Sequence, residues 1–153
     1  RFYKTGTHDE PRHEMKLRAS LAAAGAKLTS LSQERCFMVE LKPETSLSAD
    51  EEARLRWLIA ETFEEDKTSR ESFLRPSPRH TLLEIGPRLT FSTAWCSNAL
   101  SICSACGLTQ VERIEVSRRY LFSASPAIDP ADVARHAAVL HDRMTEQIYP
   151  KPL

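Results

Sequence analysis

Residues 81–108 read TLLEIGPRLTFSTAWCSNALSICSACGL. Thr81-Leu82-Leu83-Glu84-Ile85 is short and apolar and runs into Gly86-Pro87, the signature of a buried strand ended by a turn. Ser92 and Thr93 then supply hydroxyls that accept from the first orphan amides of a helix, each such cap worth about 1 kcal/mol. Trp95, Ala99, Ile102, Cys103 and Cys106 recur at helical spacing. Gly107 stops that helix, because glycine adopts the left-handed C′ conformation without strain.

Downstream, Glu112–Phe122 alternates, with Ile114, Val116, Tyr120 and Phe122 on one side and Arg118 as the exception there. Arg113, Glu115, Ser117 and Arg119 take the other side, so a long strand with one wet face is expected. Asp129-Pro130 predicts a helix start, and Val133, Ala137, Leu140 and Met144 would be the buried side of that last helix.

Upstream, Phe2-Tyr3-Lys4-Thr5 reads as an edge strand and Thr7-His8-Asp9 as the cap of a helix over residues 10–24, with Leu17, Leu21 and Ala24 inward. Cys36–Leu41 is strand-like and halted by Pro43. Ser48-Ala49-Asp50-Glu51 is a capping box, and Leu55, Leu58, Ile59 and Phe63 form the apolar face of its helix, with Trp57 at the margin. Residues 64–77 are charged and then proline-bearing, a loop between halves.

The order strand, helix, strand, helix thus occurs twice, in halves of about 1–63 and 81–147. We expect an α+β fold: two βαβα-like halves about a pseudo-two-fold axis, antiparallel sheets, and helices packed on one face. Residues 1–147 would be one domain and 148–153, with Pro150 and Pro152, the start of an extended linker. The absence of an initial methionine adds to the expectation of a piece of a longer chain.

Composition narrows function. With 153 residues the chain buries roughly 68–70% of its unfolded surface and needs no staple to fold. Twenty-one basic residues balance 21 acidic ones, which disfavours nucleic acid or an anionic membrane as partner. No run reaches the ~20 apolar residues of a membrane span, and no signal peptide opens the sequence. Four cysteines are then simplest as reduced thiols in the cytoplasm.

Candidate chemistry is sparse. Cys103 and Cys106, with Cys96 one heptad earlier, lack a fourth zinc ligand and instead share a helix face with Ala99, where thiols pack as small apolar groups. A low thiol pKa favours the helix N-terminus, whereas this pair lies at the other end. Neither His80 nor any other histidine is marked as the base of a cysteine nucleophile. Only Gly6, Gly25, Gly86 and Gly107 are present, so no phosphate loop can be written. The remaining cluster is Arg88, Ser92, Thr93, Trp95, Ser97 and Asn98. Caps and turns explain Ser92 and Thr93, but arginine beside tryptophan is an interface composition. Arg118 and Arg119, with Arg113, would extend that contact surface unless they form an ordinary solvated strand face.

Three motifs in this order carry a resemblance. Gly86-Pro87-Arg88, Phe91-Ser92-Thr93, Ser97-Asn98-Ala99 and Cys106-Gly107-Leu108 form the first. Arg113-Ile114-Glu115 with Arg118-Arg119-Tyr120 form the second, and His141-Asp142-Arg143-Met144-Thr145-Glu146-Gln147 the third. Together they resemble the N-terminal domain of the phosphoribosylformylglycinamidine synthase (formylglycinamide ribonucleotide amidotransferase) family. The likeness spans residues 81–147, with 1–80 similar only loosely.

The resemblance implies a parent enzyme of purine biosynthesis, an ATP-dependent C–N ligase with glutamine amidotransferase activity that uses ATP and magnesium held outside this chain. It implies a non-catalytic domain without a cofactor of its own, whose partners are downstream synthetase and glutaminase domains kept in register for ammonia transfer. It also implies a likeness to two copies of a small bridging subunit found where the enzyme is split. The other reading of the same residues is a ferredoxin-like regulatory module binding a small ligand at the seam between the halves.

Overall fold

Two fifteen-residue strands, β2 (Lys27–Leu41) and β5 (Val111–Ser125), run antiparallel through the centre of the molecule. The computed structural model describes residues 1–6, 10–60, 65–129 and 131–150. Around the central pair lie β1 (Phe2–Lys4), β3 (Thr68–Ser69), β4 (Thr81–Pro87) and β6 (Glu146–Ile148), giving one antiparallel sheet in the order β3-β1-β2-β5-β4-β6. The helices are α1 (Glu10–Ala23), α2 (Ala49–Ile59), α3 (Ala94–Ala105) and the five-residue α4 (Val133–Ala137), which continues as a 3-10 turn over Ala138–Leu140. The α+β class holds, with one continuous sheet rather than two. Matching β1, β2 and β3 to β4, β5 and β6, the strand order reads the same from either edge.

Local sequence explains the helix ends. Ser48 accepts from the Glu51 amide while the Glu51 carboxylate accepts from the Ser48 amide, closing the capping box. Gly25, at φ +76°, ends α1, and the Ala26 amide reaches back to the Leu21 carbonyl. The cap expected at residues 7–9, and Phe63, lie outside the described residues.

Register assigns each strand face. Leu31, Phe37 and Val39 stand opposite Phe122, Val116 and Ile114, and Leu83 opposite Tyr120. These side chains meet the helices in two clusters. Leu17, Leu21, Leu28, Leu83, Ile85, Tyr120, Phe122, Ala137 and Leu140 pack under α1 and α4. Phe2, Phe37, Leu55, Ile59, Cys103, Leu108, Val111 and Ile114 pack under α2 and α3. A bulge between Leu28 and Ser30 of β2 returns Leu28 to the helix side opposite Ala124, and a second shift sets Leu41 against Val111.

Four expectations are corrected here. β2 begins nine residues before Cys36, in Lys27–Arg35, where polar residues hide the period. Phe2–Lys4 is not an edge strand, because β3 pairs outside it. The last helix ends at Leu140, and Met144 is 82% exposed rather than buried. Its turn is held instead by the Asp142 carboxylate, which accepts from the Met144 amide, and by the Asp142 carbonyl, which accepts from Glu146 N–H. Ala24, expected inward, is exposed past the end of α1.

The centre of the other sheet face is not wet. Glu34, Glu84, Glu115, Ser117 and Arg119 are all buried, Arg119 at 7% exposure. Arg119 sits between two carboxylates: its Nη1 contacts Glu34 Oε1, and its Nε lies 3.4 Å from Glu84 Oε2. Its guanidinium also lies over the Tyr3 ring, 5.1 Å from the centroid. Glu34 accepts further from Ser72 Oγ (2.7 Å) and the Phe73 amide (2.8 Å), so the loop after β3 lies over this face. Glu84 accepts from Ser117 Oγ (2.7 Å) and Arg1 (3.1 Å). Ile148 and Tyr149, expected in the linker, belong to the domain. The Tyr149 hydroxyl donates to the Pro87 carbonyl at 2.7 Å, and its ring lies over Gly86, where an added Cβ would stand 2.5 Å from Oη.

Burial pushes the Tyr149 phenol up to about 12, helped by Glu84 and Glu115, and the Cys36 thiol up to about 11. Both groups keep in the folded state a proton that the unfolded chain surrenders from ordinary values of 10.0 and 9.0. Their contribution is therefore complete below pH 9 and lost as pH rises toward about 12. Urea midpoints across that range are expected to fall, and Tyr149→Phe to flatten the upper part of the fall. An unchanged profile in the variant would place the alkaline transition elsewhere. Arg119→Met leaves two buried carboxylates short of a partner, a loss of about 3–5 kcal/mol measurable by equilibrium unfolding.

Candidate functional site

The sequence cluster at the start of α3 is built on one carboxylate. Glu115 of β5 accepts from the Thr93 amide at 3.2 Å and from the Thr93 hydroxyl at 2.8 Å. The same Thr93 oxygen accepts from the Cys96 amide at 3.0 Å, which makes Thr93 the N-cap. Arg113 donates to Glu115 at 3.2 Å and to the Phe91 carbonyl at 2.7 Å, pinning the preceding loop. The helix is thereby fixed at its first turn to the centre of the sheet. At the far end Arg54 of α2 donates to the Cys106 carbonyl at 2.8 Å.

This placement leaves a cleft of about 310 Å³ between α2 and α3, lined by Phe37, Leu55, Leu58, Ile59, Trp95, Asn98, Ala99, Ile102, Cys103 and Ile114. Trp95 leans on Phe37 with ring centroids 6.1 Å apart, yet is 44% exposed. Ile102, one heptad on, is 53% exposed. Cys96 and Cys103 are buried and Cys106 half-buried, all free thiols. Burial, then the neighbouring Cys106 and Cys96, push the Cys103 thiol up, away from a nucleophile's range. Among the described residues no group of three histidine, cysteine or carboxylate side chains is placed to hold a metal ion, and no helix is long and apolar enough to cross a membrane.

The family model described as formylglycinamide ribonucleotide amidotransferase N-terminal matches residues 34–152. The chain belongs to that family. The match begins well before the motifs, at Glu34 of β2. Among similar proteins, a human phosphoribosylformylglycinamidine synthase is 41% identical over 129 residues, covering 83% of this chain and 10% of the relative. An Arabidopsis thaliana relative, a probable phosphoribosylformylglycinamidine synthase named as chloroplastic/mitochondrial, is 38% identical over 157 residues, covering 99% of this chain and 11% of its own length. A Dictyostelium discoideum synthase is 38% identical over 131 residues, covering 82% and 10%. The chain thus spans about a tenth of the relatives it matches.

The motifs of this amidotransferase N-terminal family fasten to one another. Arg88 donates to the Arg143 carbonyl at 2.7 Å, and its amide to the Thr145 carbonyl at 2.9 Å. Arg118 grips both Glu146 oxygens at 2.8 and 2.9 Å and the Leu140 carbonyl at 3.2 Å. Arg88 and Arg118 therefore hold the His141–Gln147 turn and β6, outside the residues that line the cleft. Ser92, Ser97 and Asn98 are exposed around the first turns of α3, beside Thr93 and Trp95, and Asn98 lines the cleft. Arg119 is not among them: one residue after Arg118, it points to the opposite sheet face and is sealed in the Glu34–Glu84 network.

Sequence reading missed Ile102 as a surface group, since helical spacing alone placed it with the core residues. Its position seven residues after Trp95, flanking the cysteine stripe, is the signal that pairs them. Thr93→Ala removes the cap and one Glu115 bond together, so a loss of about 2 kcal/mol is expected in equilibrium unfolding, with Thr93→Ser recovering most of it.

Proposed function

We propose that this chain is a non-catalytic assembly domain of a phosphoribosylformylglycinamidine synthase, keeping synthetase and glutaminase domains of the same protein in register for ammonia transfer. The observation that carries this reading is the pair Trp95 and Ile102. Two large apolar side chains about half exposed on α3, at the rim of an apolar cleft, form a surface suited to a partner. Relatives roughly ten times as long supply candidates for that partner. The first-turn anchoring of α3 through Glu115 gives the surface a fixed orientation, as a spacer between other domains requires.

On this reading the parent activity is ATP- and glutamine-dependent amidation of formylglycinamide ribonucleotide in purine biosynthesis, with ATP and magnesium bound by the remainder of the protein. The buried, raised thiols of Cys36 and Cys103 support a structural rather than a nucleophilic use of cysteine here. Four free thiols fit a reducing compartment, the cytoplasm in this proposal. The mirror order of the strands supports the two-fold relation between halves expected from the double βαβα pattern.

Ile102→Asp, made in the full-length protein, tests the contact. Its side chain already meets solvent, so the domain keeps its fold. Glutamine-dependent turnover is expected to drop about tenfold, the effect of losing an interface anchor of about 1–2 kcal/mol, while ammonium-dependent turnover persists. Equal rates with both nitrogen sources, matching the parent, would refute the role of this cleft.

A further inference from the structure

α1 and α4 pack side by side over the first core cluster and leave an open cleft of about 400 Å³ between them. Its polar lining is Lys16 and Ser20 from α1, one turn apart on the same face, and Arg135 and His136 from α4, above a floor of Ala19 and Ala23. Among the described residues no carboxylate lines it. His136 is only 4% exposed, and its Nδ1 lies 2.9 Å from Ser20 Oγ. Among the described residues its Nε2 has no hydrogen-bond partner, and neither Lys16 nor Arg135 has an ion pair.

A buried imidazole held at one nitrogen by a hydroxyl has the other nitrogen in reserve. With the hydroxyl donating to Nδ1, Nε2 carries the proton and is a donor. The cleft then offers an imidazole N–H, an ammonium and a guanidinium, with no carboxylate among its described lining residues. Two like charges lining one cleft favour an anion between them. Donors of three shapes on two helices suit a tetrahedral oxyanion with several free oxygens better than a planar carboxylate, which a lone arginine fork already satisfies. The volume lies at the lower end of small-molecule sites.

We propose that the α1–α4 cleft binds the phosphate group of a small phosphorylated molecule. The site is separate from the α2–α3 cleft and does not depend on the assembly role.

The test is the His136 ring resonance of the 153-residue chain, assigned by its loss in His136→Asn and followed by proton–carbon correlation during titration at constant ionic strength. Inorganic phosphate and ribose 5-phosphate are the probes, with sodium acetate and sodium chloride as controls. A saturable shift with phosphate or its ester, weakened at least tenfold in Lys16→Ala/Arg135→Ala, supports the site. Saturation by the ester identifies a phosphorylated metabolite, whereas saturation by inorganic phosphate but not by the ester overturns the proposal in favour of the free ion. Both replaced side chains are exposed, so the double variant keeps its fold. A shift that stays linear, that chloride reproduces, or that survives the double substitution overturns the proposal. Saturation by acetate but not phosphate overturns it in favour of a carboxylate ligand.

Discussion

A guanidinium buried between two carboxylates is the constraint on which this fold rests. Arg119 lies on β5, Glu34 on β2 and Glu84 on β4, so a single charged group ties three adjacent strands of the sheet. Buried charges are tolerable only when each is matched, and every carboxylate here has further donors: Ser72 and the Phe73 amide for Glu34, Ser117 and Arg1 for Glu84. The arrangement therefore discriminates between registers. A slip of one residue would turn Arg119 toward the helices and bring Arg118 into a cage shaped for its neighbour. The apolar face selects the same register through Leu83 against Tyr120 and Phe37 against Val116, so the two faces agree.

That agreement divides labour between the faces. The helix-bearing side carries the two apolar clusters and both clefts, whereas the opposite side carries the charge network that joins the halves. Residues of the three family motifs serve chiefly as mutual fasteners. Arg88 and Arg118 hold the His141–Gln147 turn, and Glu115 holds the start of α3. What lines the cleft outward is less conspicuous in sequence: Asn98 and, outside the motif residues, Trp95 and Ile102.

Strongly periodic and strongly capped elements were legible from residues alone. α2 follows from Ser48 and Glu51, α3 from Thr93 and Gly107, and α1 from Leu17, Leu21 and Gly25. The first half of β2 was not, because Ser30, Ser32, Gln33 and Glu34 look like a loop until partners on other strands are known. The same limit hid the character of the polar sheet face. Alternation locates Glu115, Ser117 and Arg119 on one side of a strand, but only distant residues such as Arg1, Ser72 and Tyr149 decide whether that side meets water. Short-range pattern also carried the last helix too far, since nothing local to Met144 announces that Asp142 turns the chain back into β6. Of the contact cluster, Thr93, Trp95 and Asn98 were found together, while adjacent Arg118 and Arg119 were bound to separate because a strand sends neighbours to opposite faces.

The bulges of the central pair have a consequence for changes in chain length. Between Ser30 and Glu40 the β2–β5 ladder runs without interruption, and parity alone decides which side chains enter the apolar clusters. Losing one residue inside that stretch would turn inside out everything on one side of the lesion, exchanging buried charges for buried leucines and phenylalanines. At the bulges parity is already broken. The step between Leu28 and Ser30 has only Lys27 and Leu28 beyond it in the strand, and the step beside Leu41 lies at the strand's last residue. Single-residue insertions and deletions in homologous chains are therefore expected to collect at these two points, where a miscount is absorbed within a residue or two, and to be purged from the stretch Ser30 to Glu40 between them.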